Sequence, residues 1–350
     1  MLPLADPVDA IVLREAGLVS DAGPVAVLDD QSGALVQGLG GEREVRLFSD
    51  SLTDERAVLA AVGNAPGLRV LPGLGPELLG GVRLVVLRLP KSLAALDEAA
   101  EAVARWAEPS VLLLAGGRVK HMSRGMNEVL GRHFGSVRAS LGAQKSRVLV
   151  AAGALAPGEP TYPVTSTDAE LGLTVVAHGA AFAGPSVDLG TRFLLTTLGA
   201  SLPEAGTVVD LGCGTGLLAV SAARALPGAA VLALDESRAA VLSAAATAAA
   251  NGVGDRVDVR HTHLMDGVPD RSVDLVLCNP PFHRGTTRDS AVAFEMFAAA
   301  ARTLAPGGQL WTVYNSHLPY LRSLRRLVGQ TSVMAQSPGY TVTRSLQTGR

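Results

Sequence analysis

The sequence predicts an α/β protein of two tandem units, each a doubly wound, mostly parallel sheet, with the first copy degenerate. Two observations carry this. Strand-like and helix-like segments recur in the same order in both halves, and in each half the first strand runs into a glycine-containing turn. Strands alternating with helices of this length imply parallel sheets covered on both faces. A chain of 350 residues that is 48% hydrophobic has apolar material for two such cores.

Taken in order, Val25 to Leu28 is the first strand and the turn Asp29-Asp30-Gln31-Ser32-Gly33 follows it. Val45 to Phe48 then precedes a helix over Thr53 to Val62, Val82 to Leu89 precedes a helix over Leu93 to Trp106, and Ser110 to Leu114 is a further strand. The second half repeats the plan with Val208 to Leu211, Val231 to Leu234 before the helix Arg238 to Asn251, and Val273 to Cys278 before the helix Ala291 to Leu304; Gln309 to Val313 closes the series. Between the halves, Ala156 to Asp168 holds Pro157, Pro160 and Pro163 and reads as a linker. The predicted units are 1–160 and 161–350.

Composition excludes several classes. No run approaches the ~18 apolar residues of a membrane span, and the N-terminal segment, with Asp6 and Asp9, lacks the basic and apolar pattern of a signal peptide. A cytoplasmic location is expected. Cys213 and Cys278 are the two cysteines, and both lie in segments whose other residues already explain them, so neither a disulfide framework nor a cysteine zinc site is expected. The expected form is a monomer in which the two units make a pseudo-dimer.

In the second half the first strand ends in Asp210-Leu211-Gly212-Cys213-Gly214-Thr215-Gly216. Three glycines remove the Cβ atoms that would keep a ligand off the backbone. Dinucleotide sites space their glycines GxGxxG; the GxGxG spacing after an acid resembles the first motif of class I methyltransferases, in which the loop cradles the methionine part of the cofactor. Asp235, at the tip of the second strand about 20 residues past the loop, suits ribose hydroxyls, and its bland alternative is a helix N-cap. His263 follows the third strand, Val257 to Arg260, where the family usually has Asp or Asn for the adenine amine; Leu264 stands beside it. The His261-Thr262-His263 pair has no third ligand nearby, so no metal is expected.

Asn279-Pro280-Pro281-Phe282 sits at the C-terminal end of the strand Val273 to Cys278, where open α/β sheets bind ligands. An exocyclic base amine is a poor nucleophile because its lone pair is delocalised into the ring. The Asn279 side-chain oxygen and the Pro280 carbonyl are acceptors for its two hydrogens, and Phe282 offers a stacking face worth ~1–3 kcal/mol. No strong base is needed, because a sulfonium methyl is an excellent electrophile. The first half has Arg88-Leu89-Pro90-Lys91 instead.

With these motifs the chain resembles the bacterial two-domain ribosomal RNA (guanine-N2)-methyltransferases, which pair an inactive N-terminal methyltransferase-like domain with an active C-terminal one. The matching stretches are Phe182 with Asp188-Leu189-Gly190-Thr191-Arg192-Phe193, Asp210 to Gly216, Asn279 to His283, Glu295-Met296-Phe297 and Asn315-Ser316-His317-Leu318-Pro319-Tyr320. The resemblance implies two Rossmann-like class I domains and S-adenosyl-L-methionine as cofactor. It also implies a ribosomal RNA substrate, with the large-subunit branch favoured, and roles for Phe182, Asp188 and Thr191 in closing the cofactor pocket, which Asn279 also borders.

Arg118, Lys120, Arg124, Arg132, Arg138, Lys145 and Arg147 are opposed within their own stretch by Glu128 alone. This predicts a local positive surface for RNA backbone, headed by Arg118, Lys120 and Arg124, with Arg322 and Arg325 as further phosphate contacts; a solvated helix face is the alternative. Two other functions remain open on the sequence: amino methylation of adenine N6, cytosine N4 or a protein glutamine, and a non-catalytic RNA-binding assembly factor.

Overall fold

The computed structural model describes residues 6–19, 23–199, 201–281 and 287–348, with the side chains of 287–290 excepted. The chain divides into two units, Met1–Pro163 and Val164–Arg350. The first contains, in order, α1 (Pro7–Ala16), β1 (Val25–Leu28), α2 (Ala34–Leu39), β2 (Val45–Phe48), α3 (Leu52–Val62), β3 (Leu68–Val70), α4 (Pro76–Leu79), β4 (Leu84–Arg88), α5 (Leu93–Trp106), β5 (Leu112–Arg118), α6 (Arg124–His133), β6 (Phe134–Ala139) and β7 (Ser146–Ala154). The second contains β8 (Val164–Asp168), β9 (Leu173–Ala177), α7 (Leu189–Gly199), β10 (Thr207–Leu211), α8 (Leu217–Ala225), β11 (Ala230–Asp235), α9 (Arg238–Ala250), β12 (Val257–His261), β13 (Val273–Cys278), α10 (Thr287–Thr303), β14 (Leu304–Asn315), α11 (Tyr320–Leu327), β15 (Gly329–Gln336) and β16 (Tyr340–Gln347).

Each unit is built on a seven-stranded sheet, ordered β3-β2-β1-β4-β5-β7-β6 in the first and β12-β11-β10-β13-β14-β16-β15 in the second. The first five strands of each order run parallel, and the last two are antiparallel to their neighbours. Strand order reverses between β1 and β4 and between β10 and β13, and that crevice is where doubly wound sheets bind ligands.

The strands form where β-branched residues supply both faces of a buried sheet. In β10, Val208 packs into the layer made with α8 and α9, while Val209 and Leu211 face the layer made with α10 and α11. The Ala-rich α9 buries Ala239, Ala240, Ala244 and Ala248, short side chains that let it lie close to the sheet, and Ser237 caps it by accepting from the Ala240 N–H.

Part of the expected linker is a strand: β8 pairs antiparallel with β9, because Val164, Thr165 and Thr167 favour extended backbone once Pro163 is passed. Strands β6 and β15 form one edge of each sheet, where largely exposed side chains give a weak periodic signal.

Candidate active site

At the end of β10 the chain turns sharply through Gly212, at φ +72°, into α8, which Gly216 opens at φ +77°. A Cβ on Gly216 would lie 2.8 Å from the Ala244 Cβ and 2.9 Å from its Cα, so close packing of α8 on α9 excludes any side chain there. At Gly214 the space a Cβ would occupy is open. The loop therefore has one glycine that closes the fold and one that leaves a cradle.

Asp210 is fully buried beneath this loop. Its Oδ2 accepts from the Ala219 N–H at 2.9 Å in the first turn of α8, and its Oδ1 is buried with no hydrogen-bond partner. Burial pushes the carboxyl up to about 7, against which the Ala219 N–H pulls down; the nearby Asp235 raises it further. A buried carboxyl oxygen without a partner is costly, and a cationic or N–H group that reached it would remove that cost.

Asp235, at the tip of β11, is half-buried and accepts from the Gly214 N–H and the Ser237 N–H, both at 2.9 Å. It thus braces the glycine loop; the alternative reading of Asp235 as the cap of the following helix falls to Ser237. Past β12, the Thr262 N–H returns to the Asp235 carbonyl at 2.8 Å, which sets half-buried His263 and Leu264 next to the β11 tip. The His263 Nδ1 lies 3.8 Å from a Glu236 carboxylate oxygen. Among the described residues no group of three or more His, Cys, Asp or Glu side chains could hold a metal.

Asn279 follows β13 directly, across the crevice from the glycine loop, because Leu211 pairs with Cys278. Its Nδ2 donates to Asp188 Oδ2 at 3.1 Å and to Thr191 Oγ1 at 3.0 Å, and its Oδ1 is buried without a partner. Pro280 is buried and Pro281 exposed; Phe282 and His283 lie outside the described residues. Phe182 sits in the turn before α7 with 51% of its surface exposed. The structure thus brings Asp188 and Thr191 to Asn279 itself, a link that no local pattern signalled.

The first unit fills the same places with its own side chains. Leu28 pairs with Leu87, so Arg88 stands where the second unit has Asn279. Arg88 donates to Asp9, which is fully buried and accepts also from Ser32 Oγ. Asp30 accepts four backbone N–H groups, those of Ser32, Gly33, Leu35 and Val36, which saturates the start of α2. Asp29, the counterpart of Gly212, takes φ +58° and is pushed up to about 7 by burial.

Of the basic residues, Lys120, Arg124, Arg138, Lys145 and Arg147 are exposed in the first unit, and Arg322, Arg325 and Arg326 on α11 in the second. Folding adds an acid from outside that stretch: Asp97 of α5 pairs with Arg132 at 3.2 Å and with His133 at 2.8 Å. Arg118 lies 4.0 Å from Asp6.

Two family models match the chain. The RLMG N-terminal domain covers residues 5–154 and the methyltransferase small domain covers residues 172–344. A Streptomyces coelicolor ribosomal RNA large subunit methyltransferase G is 36% identical over 339 residues, covering 93% of this chain and 89% of the relative. A Pseudomonas fluorescens protein of the same name is also 36% identical, over 92% and 87%. Among solved structures, a T. thermophilus 16S rRNA N2 methyltransferase in complex with AdoMet and guanosine shares the fold, with a TM-score of 0.79 at 24% identity over 98% of this chain and 92% of that one. With that identity and coverage on both chains, this protein belongs to the ribosomal RNA large subunit methyltransferase G family.

Proposed function

We propose that the chain transfers a methyl group from S-adenosylmethionine to the exocyclic N2 amine of a guanine in large-subunit ribosomal RNA, with chemistry confined to the second unit. The observation that carries the reading is the Asn279 carboxamide, pinned at its nitrogen end and buried at its oxygen end with no partner. A buried acceptor left unpaired costs about 1–3 kcal/mol, and an amine N–H arriving at the β13 tip removes that cost. The Asn279 oxygen and the Pro280 carbonyl take the two amine hydrogens and turn the nitrogen lone pair toward the electrophile.

S-adenosylmethionine supplies an electrophilic sulfonium methyl and needs no metal. Asp210, Asp235, Gly212, Gly214 and Gly216 would hold it in the crevice beside β10, with His263 and Leu264 bordering its adenine end. The open space at Gly214 and the unpaired Asp210 oxygen fit that role. No residue need act as a strong base, because the amine becomes acidic as its bond to carbon forms. The target guanine must leave its helix to reach the β13 tip, which is cheapest where RNA is already looped.

Support for the substrate comes from the family, whose members are named for the large ribosomal subunit, and from the exposed basic residues of the first unit as a phosphate-binding surface. In the test, purified protein is incubated with labelled S-adenosylmethionine and either protein-free large-subunit RNA or assembled subunits, and the digested nucleosides are identified by mass spectrometry. Label in N2-methylguanosine is expected, and Asn279→Ala should lower turnover at least about 100-fold while cofactor affinity stays within about threefold. Label on adenine, cytosine or protein would refute the reading.

A further inference from the structure

The carboxamide of Asn279 can sit in its slot two ways round, and only one of them serves an amine. With the oxygen toward the substrate it accepts an N–H; turned over, it would set one NH2 against another. Two groups at the start of α7, Asp188 just before it and Thr191 in its first turn, decide the matter. Asp188 is a carboxylate and accepts hydrogen bonds without donating them, so the atom facing it at 3.1 Å must be Nδ2. Thr191 Oγ1, 3.0 Å away, takes the second hydrogen of the same nitrogen. The oxygen is thereby turned away from α7, and it is this oxygen that is buried without a partner.

The two groups are themselves held. Asp188 Oδ2 accepts from the Gly190 N–H at 2.9 Å and the Thr191 N–H at 3.1 Å, so the carboxylate is anchored to the start of α7. Gly190 makes room for it: a Cβ there would lie 3.0 Å from Asp188 Oδ2 and 3.2 Å from the Tyr340 ring.

The first unit repeats the three positions with opposite chemistry. Asp6 caps α1 by accepting from the Val8 N–H, as Asp188 accepts two positions on, and Asp9 and Thr191 each follow three residues later. α1 packs on β5 and β7 as α7 packs on β14 and β16. There the group between them is the Arg88 guanidinium, 2.5 Å from Asp9 and 3.6 Å from Asp6. It has donors only, so that copy presents no acceptor for an amine.

We propose that Asp188 and Thr191 are positioning residues that lock the Asn279 carboxamide with its oxygen toward the target amine, in place of the cofactor contact that family resemblance implies for them. The role rests on the function proposed above. It predicts losses in turnover rather than in binding, since the same atoms would be present but wrongly turned.

The test compares Thr191→Val, which keeps the shape and removes the acceptor, with Thr191→Ser, which keeps the acceptor. Methyl transfer to protein-free large-subunit RNA gives kcat and KM, calorimetry gives the affinity for S-adenosylmethionine, and hydrogen exchange of the Asn279 side-chain NH2, assigned by its loss in Asn279→Ala, reports the lock without needing turnover. Expected are a kcat lower by about 10- to 100-fold in Thr191→Val, KM and cofactor affinity within about threefold, faster Asn279 NH2 exchange, and recovery of all of these in Thr191→Ser. An unchanged kcat in Thr191→Val, a loss confined to cofactor affinity, or failure of Thr191→Ser to recover would overturn the proposal. If the parent chain methylates no RNA, the function fails while the exchange measurement still decides the lock: rapid Asn279 NH2 exchange in the parent sinks it.

Discussion

The Arg88 guanidinium donates to the Asp9 carboxylate at 2.5 Å, at the two positions of the first unit that Asn279 and Thr191 hold in the second. One fold thus carries two solutions at one place. In the second unit a neutral amide leaves an acceptor unpaired, whereas in the first a half-buried guanidinium pairs with a fully buried carboxylate. Asp9 is fully buried and burial, its largest influence, raises its pKa, with Arg88 pulling the other way.

Removing one partner of this pair leaves a buried charge. Arg88→Met should destabilise the protein by about 3–5 kcal/mol, and adding Asp9→Leu should restore most of that loss. Urea unfolding followed by circular dichroism measures both; equal stability of Arg88→Met and the parent would show that the pair is not coupled.

The glycines of the second loop should separate by function. Gly216→Val forces a Cβ to within 2.8 Å of Ala244 at a φ of +77°, and a stability loss of about 1–3 kcal/mol is expected as its leading effect. Gly214→Ala meets no atom but must take φ +53°, so a strain cost of about 1 kcal/mol is expected together with weaker S-adenosylmethionine binding, read by calorimetry.

Stability should fall as pH rises through neutrality. Asp29 and Asp210 each ordinarily titrate at 3.8 and are raised to about 7 in the fold by burial. Between about pH 4 and 7 the folded chain therefore holds more protons than the unfolded one, and stability drops with rising pH until the full cost is present above 7. Asp210→Asn removes one of these groups, so its urea midpoint should gain on that of the parent from pH 5.5 to 8; a constant difference would contradict the shift.

Charge reversal at Arg118, Lys120 and Arg124 should weaken RNA binding by the first unit's surface and reduce the slope of log affinity against log salt by about 2–3. Filter binding across a salt series reads both, and an unaltered slope would mean that these residues make no phosphate contact. The same reversal at Arg322 and Arg325 tests α11 separately.

Much of this protein was legible locally. The duplicated strand order, the GxGxG turn after Asp210 and the tetrapeptide at Asn279 are short-range patterns, since strand propensity, glycine freedom and proline geometry act within a few residues. The edge strands β6 and β15 were not legible because mostly exposed strands lack an apolar rhythm. The Asp97 contacts with Arg132 and His133 were hidden because they join α5 to α6 across a fold.

The sequence alone determined that two copies of one α/β plan stand in tandem, and that the second, unlike the first, has the GxGxG turn after Asp210 and the Asn279-Pro280-Pro281-Phe282 tetrapeptide. Only tertiary structure decided the Asn279 contacts, with Nδ2 bonded to Asp188 and Thr191 and Oδ1 left unpaired. Asp188 and Thr191 lie 91 and 88 positions before Asn279, and neither is a neighbour until α7 docks beside β14 and β16. Hydrogen-bond direction is a property of atoms brought within about 3 Å, and a linear pattern of residue types holds no such distance.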